Sequence, residues 1–193
     1  MRGLTKFDRA DIAYQLASTR TYPGWGYMVA QGATTIWELW NGNTANPQMN
    51  SQNHVMLLGD LLIWYYENLA GIQSDDQAVG FKKIKMQPEL IDGLNFVKAS
   101  YHSIYGNISS HWVSDRSRSS FSWHISIPPN TTATISIPAN SSNQIQENGK
   151  PVNHSADVRF IKMENGYAIF EIGSGDYFFV SSFPFKKGIE IGR

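Results

Sequence analysis

Apolar and polar positions follow two different periods along the 193-residue chain, and the change of period falls around Gln73 to Gly80. Ahead of it the spacing is helical. From Leu4 to Thr19 the apolar residues Phe7, Ile12, Ala13, Leu16 and Ala17 recur at near-helical steps. Asp8 and Asp11 stand where a helix dipole favours negative charge, which predicts a short helix. Ser51 to Leu69 carries the strongest helical pattern, with His54, Leu58, Leu61, Leu62, Tyr65 and Leu69 on one stripe. Ser51 or Asn50 is suited to cap it, and Gly71 to end it in a left-handed conformation. Between these helices Thr21 to Gly26 reads as a loop, because Pro23 keeps Tyr22 out of the helical region and two glycines let the backbone turn beside Trp25. Tyr27 to Gly32 fits one or two helical turns. Thr34 to Trp40 fits either a helix start or an extended run, and Asn41 to Asn50 is a loop.

Beyond Gly80 the period is two. Phe81 to Met86, Leu94 to Tyr105, Asn107 to Val113, Ser119 to Ile127 and Thr131 to Ile137 alternate as strands do, and Phe121, Trp123, Ile125 and Ile127 share one face. Ala156 to Lys162, Tyr167 to Ile172 and Tyr177 to Ser182 continue the pattern. Asp92-Gly93, Pro128-Pro129-Asn130, Asn148-Gly149 and Asn165-Gly166 supply turns. Many short strands at this interval predict an antiparallel β-sandwich, so the fold class expected is α+β by segment.

Composition removes several function classes. Acidic and basic residues are equal at 16 each and scattered, which leaves no electrostatic footprint for nucleic acid or anionic lipid. No segment approaches the ~18 apolar residues of a membrane span, and Met1 to Asp11 does not read as a signal peptide. Cysteine is absent, phosphate-cradling glycine loops are not found, and histidines 54, 102, 111, 124 and 154 lack zinc-ligand spacing, so neither metal nor cofactor is expected. His102, His111 and His124 belong on solvent-facing strand positions. Aromatic residues at 13% against 17% charged tilt the chain toward aromatic-lined surfaces of the kind that pack on sugar rings.

One carboxylate stands out, Glu38, set between Trp37 and Trp40 and behind a run that includes Trp25. Two readings are open. Apolar rings around a carboxylate would strip its hydration and raise its pKa, preparing it for proton transfer; alternatively Glu38 is a hydrogen-bonded structural residue under an aromatic lid. His54 likewise is either a core histidine satisfied by a carbonyl or a partner for a sugar hydroxyl or a carboxylate.

Taken together, Tyr22-Pro23-Gly24-Trp25-Gly26-Tyr27-Met28, the run Gly32 to Trp40, and Met49-Asn50-Ser51-Gln52-Asn53-His54 resemble the C-terminal part of bacterial α-L-rhamnosidases, in order and spacing as well as residues. Phe81 to Ile84, Gly93 to Gly106 and Pro128 to Ala133 resemble the β-sandwich that closes those enzymes. The resemblance implies that residues 1–73 are the last hairpins of an (α/α)6 glycosidase barrel and residues 74–193 the appended sandwich. It also implies an inverting hydrolase that releases terminal α-L-rhamnose, in which an acid protonates the leaving oxygen and a carboxylate roughly 6.5–9.5 Å away activates water. It carries the water-activating role onto Glu38, a sugar-hydroxyl contact onto His54, and the walls of the subsite onto Trp25, Trp37 or Trp40. Leu39 departs from the family, where a charged residue is common. The proton-donating acid of the family belongs to an earlier part of the barrel, so the chain is expected to be a fragment that hydrolyses poorly by itself, and to self-associate through the incomplete barrel. The alternative is a non-catalytic carbohydrate-binding or structural sandwich module.

Overall fold

A computed structural model describes residues 1–183. The chain divides into two compact units, Met1–Tyr65 and Tyr66–Arg193, so the division comes earlier than the change of period at Gln73. The reason is that the residues just ahead of Gln73 already serve the second unit: Ile72–Ser74 forms the strand β1, and the carbonyls of Leu69 and Ala70 accept hydrogen bonds from Trp112 and Ser110.

The first unit is helical and irregular. The helix expected over Leu4 to Thr19 is two helices, α1 (Arg2–Lys6) and α2 (Ala10–Ser18). Asp8 takes the left-handed conformation at φ 57, and the amides of Asp8 and Arg9 return to the carbonyls of Thr5 and Leu4 at 3.0 and 2.9 Å. That reciprocal pair is how a helix closes its free carbonyls, and aspartate tolerates the required φ better than most residues. After the loop at Thr21–Gly24 comes α3 (Trp25–Ala30). Thr34–Trp40 is neither helix nor strand but a series of bends and turns.

The long helix expected from Ser51 begins instead at Val55, as α4 (Val55–Trp64), with His54 and not Ser51 or Asn50 at its N-cap; a π-helical turn, Tyr65–Leu69, follows it. Gly71 has φ +73, the left-handed geometry expected of it. Trp64, fully buried, ties α4 to α1 by donating from Nε1 to Thr5 Oγ1 at 2.7 Å. The rest of α4 is apolar on nearly every side: Val55, Met56, Leu57, Leu58, Leu62 and Ile63 are all exposed, Met56 by 74%.

The second unit is a two-sheet sandwich. One sheet has the order β1 (Ile72–Ser74), β2 (Lys83–Met86), β6 (Thr132–Pro138), β10 (Tyr167–Ile172) and β9 (Val158–Glu164). The other has the order β3 (Phe96–Ser103), β4 (Gly106–Asp115), β5 (Ser120–Ile127), β11 (Gly175–Ser182), β7 (Ile145–Glu147) and β8 (Lys150–Pro151). Pairing is antiparallel except between β2 and β6, which run parallel. The short strands β1, β7 and β8 are additions to the sequence pattern, too brief to show a period. Asn148-Gly149 and Asn165-Gly166 both place two successive residues at positive φ, the geometry that suits a two-residue hairpin to strand twist.

Phe121, Trp123, Ile125 and Ile127 line the core as their alternation required, against Ile84, Met86, Ile135, Ile137 and Phe170. Three of the buried polar side chains in this core are linked to each other or to the backbone. Ser110 Oγ donates to Ala70 O at 2.6 Å and accepts from Trp123 Nε1 at 2.9 Å, while Trp112 Nε1 donates to Leu69 O at 2.8 Å. Leaving any of these unpaired would cost about 1–3 kcal/mol.

Candidate functional site

Glu38 and His54 lie on two irregular segments that hydrogen-bond to each other. The Glu38 amide donates to Ser51 O at 2.8 Å and the His54 amide to Ile36 O at 2.7 Å, while Thr35 Oγ1 donates to Gln52 O. These bonds occupy the backbone from Ser51 to His54, which is why α4 does not begin until Val55. The residues between Glu38 and Ser51 form a loop closed at its base.

The carboxylate is not sealed between the indoles. The Glu38 side chain keeps 43% of its exposure, because the turn Leu39–Gly42 sends Trp37 inward and Glu38 outward. Its Oε2 accepts a hydrogen bond from the Ser51 amide at 3.0 Å and stands 3.8 Å from His54 Nδ1, an ion-pair distance when the imidazole is protonated. His54 is half-buried at the start of α4, so it faces the carboxylate instead of sitting satisfied in a core. Among the described residues no protein group bonds Oε1.

The three tryptophans do different things. Trp37 is buried, and the Gly42 backbone lies on its ring: a methyl group on Gly42 would come within 2.7 Å of three Trp37 atoms. One face of that indole is thus already taken. Trp25 and Trp40, both partly exposed, meet edge to face with centroids 5.2 Å apart and an angle of 68°, a favoured aromatic geometry. Trp25 Nε1 is buried with no hydrogen-bond partner among the described residues. Trp25 also borders an apolar concavity of about 320 Å³, together with Met28, Ile36, Asn53, Leu58 and Tyr65. Glu38 and His54 do not line it.

Sequence periodicity missed Asn50, Ser51, Gln52 and Gly42. Asn50 Oδ1 accepts from the Leu39 amide at 3.1 Å, and both Asn50 Nδ2 and Gln52 Nε2 donate to Gly42 O, at 3.4 and 3.3 Å. Polar residues ahead of a helical stripe look like caps, so their long-range role left no local signal beyond the clustering of Asn and Gln. Among the described residues no group of three or more His, Asp or Glu could hold a metal ion, and no helix is long and apolar enough to cross a membrane.

Comparison with known proteins places both units. Residues 1–69 match the bacterial α-L-rhamnosidase six-hairpin glycosidase domain, and residues 71–151 match the bacterial α-L-rhamnosidase C-terminal domain. The α-L-rhamnosidase of Streptomyces avermitilis is 34% identical over 181 residues, which is 91% of this chain and 16% of that enzyme. The solved structure of the Streptomyces avermitilis enzyme with L-rhamnose superposes with a TM-score of 0.79, covering 92% of this chain and 16% of the other at 33% identity. That of the Dictyoglumus thermophilum α-L-rhamnosidase gives 0.78, covering 93% and 19% at 30% identity. The chain therefore spans about a sixth of the length of these relatives. Two adjoining family domains, together with a relative 34% identical over 91% of this chain, leave one conclusion: the chain belongs to the bacterial α-L-rhamnosidase family and corresponds to its C-terminal part.

Proposed function

We propose that this chain supplies the general base of an inverting glycosidase that releases terminal α-L-rhamnose, with Glu38 activating the water. The supporting observation is the state of the carboxylate: Oε2 is held by the Ser51 amide, while Oε1 is free to take a proton from water in a half-open setting. A base must be fixed and reachable before its proton affinity matters. His54 contacts a rhamnose hydroxyl in this reading, and Trp25 and Trp40 form the apolar wall, with Trp37 backing the turn that carries Glu38. An inverting displacement needs a second carboxyl group across the sugar, and this reading takes that general acid, by the family resemblance, from the part of the barrel outside residues 1–193.

The same reading assigns residues 1–73 to the closing hairpins of an (α/α)6 barrel and gives α4 a covering. A helix apolar on all sides is ordinarily buried all round, and the exposed side chains from Val55 to Ile63 are the surface that further barrel helices would cover. Without them, self-association through that surface is the expected behaviour.

The experiment exchanges the matched segment of the Streptomyces avermitilis enzyme for this chain and assays an aryl α-L-rhamnoside. Glu38→Gln is expected to lower turnover by about 10²–10⁴-fold, while the isolated chain stays at background. Undiminished turnover in the Gln variant removes Glu38 from the mechanism. Calorimetric binding of rhamnose-terminated oligosaccharides without turnover in the exchanged protein would instead favour a non-catalytic carbohydrate-binding module.

A further inference from the structure

We propose that Asn50 is a positioning residue for Glu38, its side-chain amide fixing the turn that sets where the carboxylate stands. The catalytic consequence rests on Glu38 being the base; the geometry does not. Glu38 is bounded by two peptide groups. Its own amide is held by Ser51 O at 2.8 Å, and the next amide, that of Leu39, is held by Asn50 Oδ1 at 3.1 Å. With both peptides fixed, neither φ nor ψ of Glu38 is free to drift, and the side chain projects toward the Ser51 amide.

The Asn50 amide also reaches the far end of the same turn, donating from Nδ2 to Gly42 O at 3.4 Å, while the Gly42 amide donates to Leu39 O at 3.0 Å. One planar group thus accepts at the start of the turn and donates at its end, a pattern that requires one oxygen and one N–H₂ in the same side chain. Below, the Trp37 ring against Gly42 prevents the turn from sinking inward. Gln52 adds a second donor to Gly42 O but has no bond to Leu39, so it cannot replace Asn50.

The test begins with the ¹⁵N-labelled chain. The Ser51 amide proton, bonded to Glu38 Oε2, is expected to follow the ionisation of that carboxylate, and Glu38→Gln to abolish the response. Asn50→Leu keeps the volume and loses both bonds. It is expected to reduce hydrogen-exchange protection of the Leu39 amide by about tenfold or more and to shrink the Ser51 response, with amides of β4 and β5 unchanged. Asn50→Ser, too short to reach Leu39, also loses both bonds while staying polar, and is expected to lower Leu39 protection and the Ser51 response as the leucine variant does. It also decides the matter if the leucine variant unfolds the helical unit. Full Leu39 protection together with a full Ser51 response in the folded variants overturns the proposal. In the exchanged rhamnosidase, Asn50→Leu is expected to cut kcat by about tenfold to a hundredfold with KM little changed, the signature of a misplaced group. If Glu38→Gln leaves turnover intact, the base reading fails while the amide measurements still decide the role of Asn50.

Discussion

Trp112, Phe121, Trp123 and Phe170 are withdrawn from solvent in the sandwich, whereas Val55, Met56, Leu58, Leu62 and Ile63 of α4 face it. Both units began with a clear apolar pattern, and both formed the type of element that their period required. What separates them is whether a second surface exists to meet the first. Each sheet of the sandwich offers the other an apolar face, and even the polar atoms between them, Ser110 and the Trp112 and Trp123 indole nitrogens, have partners. In the helical unit Trp64 finds Thr5, yet most of the helix that carries it has no counterpart among the described residues. Periodicity specifies an element; stability waits on what covers it.

The contrast is most exposed to failure at Trp123, which is fully buried and hydrogen-bonded. Trp123→Ala is expected to cost about 3–5 kcal/mol, read as a loss of unfolding free energy in denaturant titrations of the sandwich. A loss below about 1 kcal/mol, within the ordinary range of single substitutions, would mean that the sandwich does not close its own core. A smaller effect is expected in alkali. Burial, reinforced by Glu89, pushes the Tyr167 hydroxyl up to about 12, above the ~10 of an unfolded chain. The fold thus favours the neutral phenol: its contribution, on the order of 2 kcal/mol, is whole below pH ~10 and is lost as the pH rises through about 12. Tyr167→Phe is expected to flatten that alkaline decline in unfolding free energy; an unchanged slope would place the titration elsewhere. The smallest stability effect belongs to α4, where Met56→Ser with Leu62→Ser is expected to change unfolding free energy by only about 0.5 kcal/mol while abolishing concentration-dependent sedimentation. If the wild-type chain sediments as a monomer at all concentrations, this face is not adhesive.

Much of the sandwich was legible because strand alternation is a local signal that the core then obeys, as Phe121 to Ile127 do. The strands that escaped, β1, β7 and β8, are two or three residues long and held by partners distant in sequence. In the helical unit the pattern misled at two points. Asp8 broke a helix through a backbone conformation that apolar spacing does not encode, and Ser51 to His54, which looked like a helix start, was claimed by Ile36 and Glu38. The aromatic motifs around Glu38 were visible as residues, but not as roles: the burial of Trp37 against Gly42 accompanies a turn held by Asn50, eleven residues beyond Leu39. The enclosure expected for Glu38 failed for the same reason, since neighbours in sequence need not be neighbours in space.

Tying the loop at Glu38 and again at Ser51 has a consequence for anyone wishing to modify it. Residues 46–49 project beyond this anchored base, so insertions or grafted recognition sequences placed there are expected to leave the position of the Glu38 carboxylate unchanged.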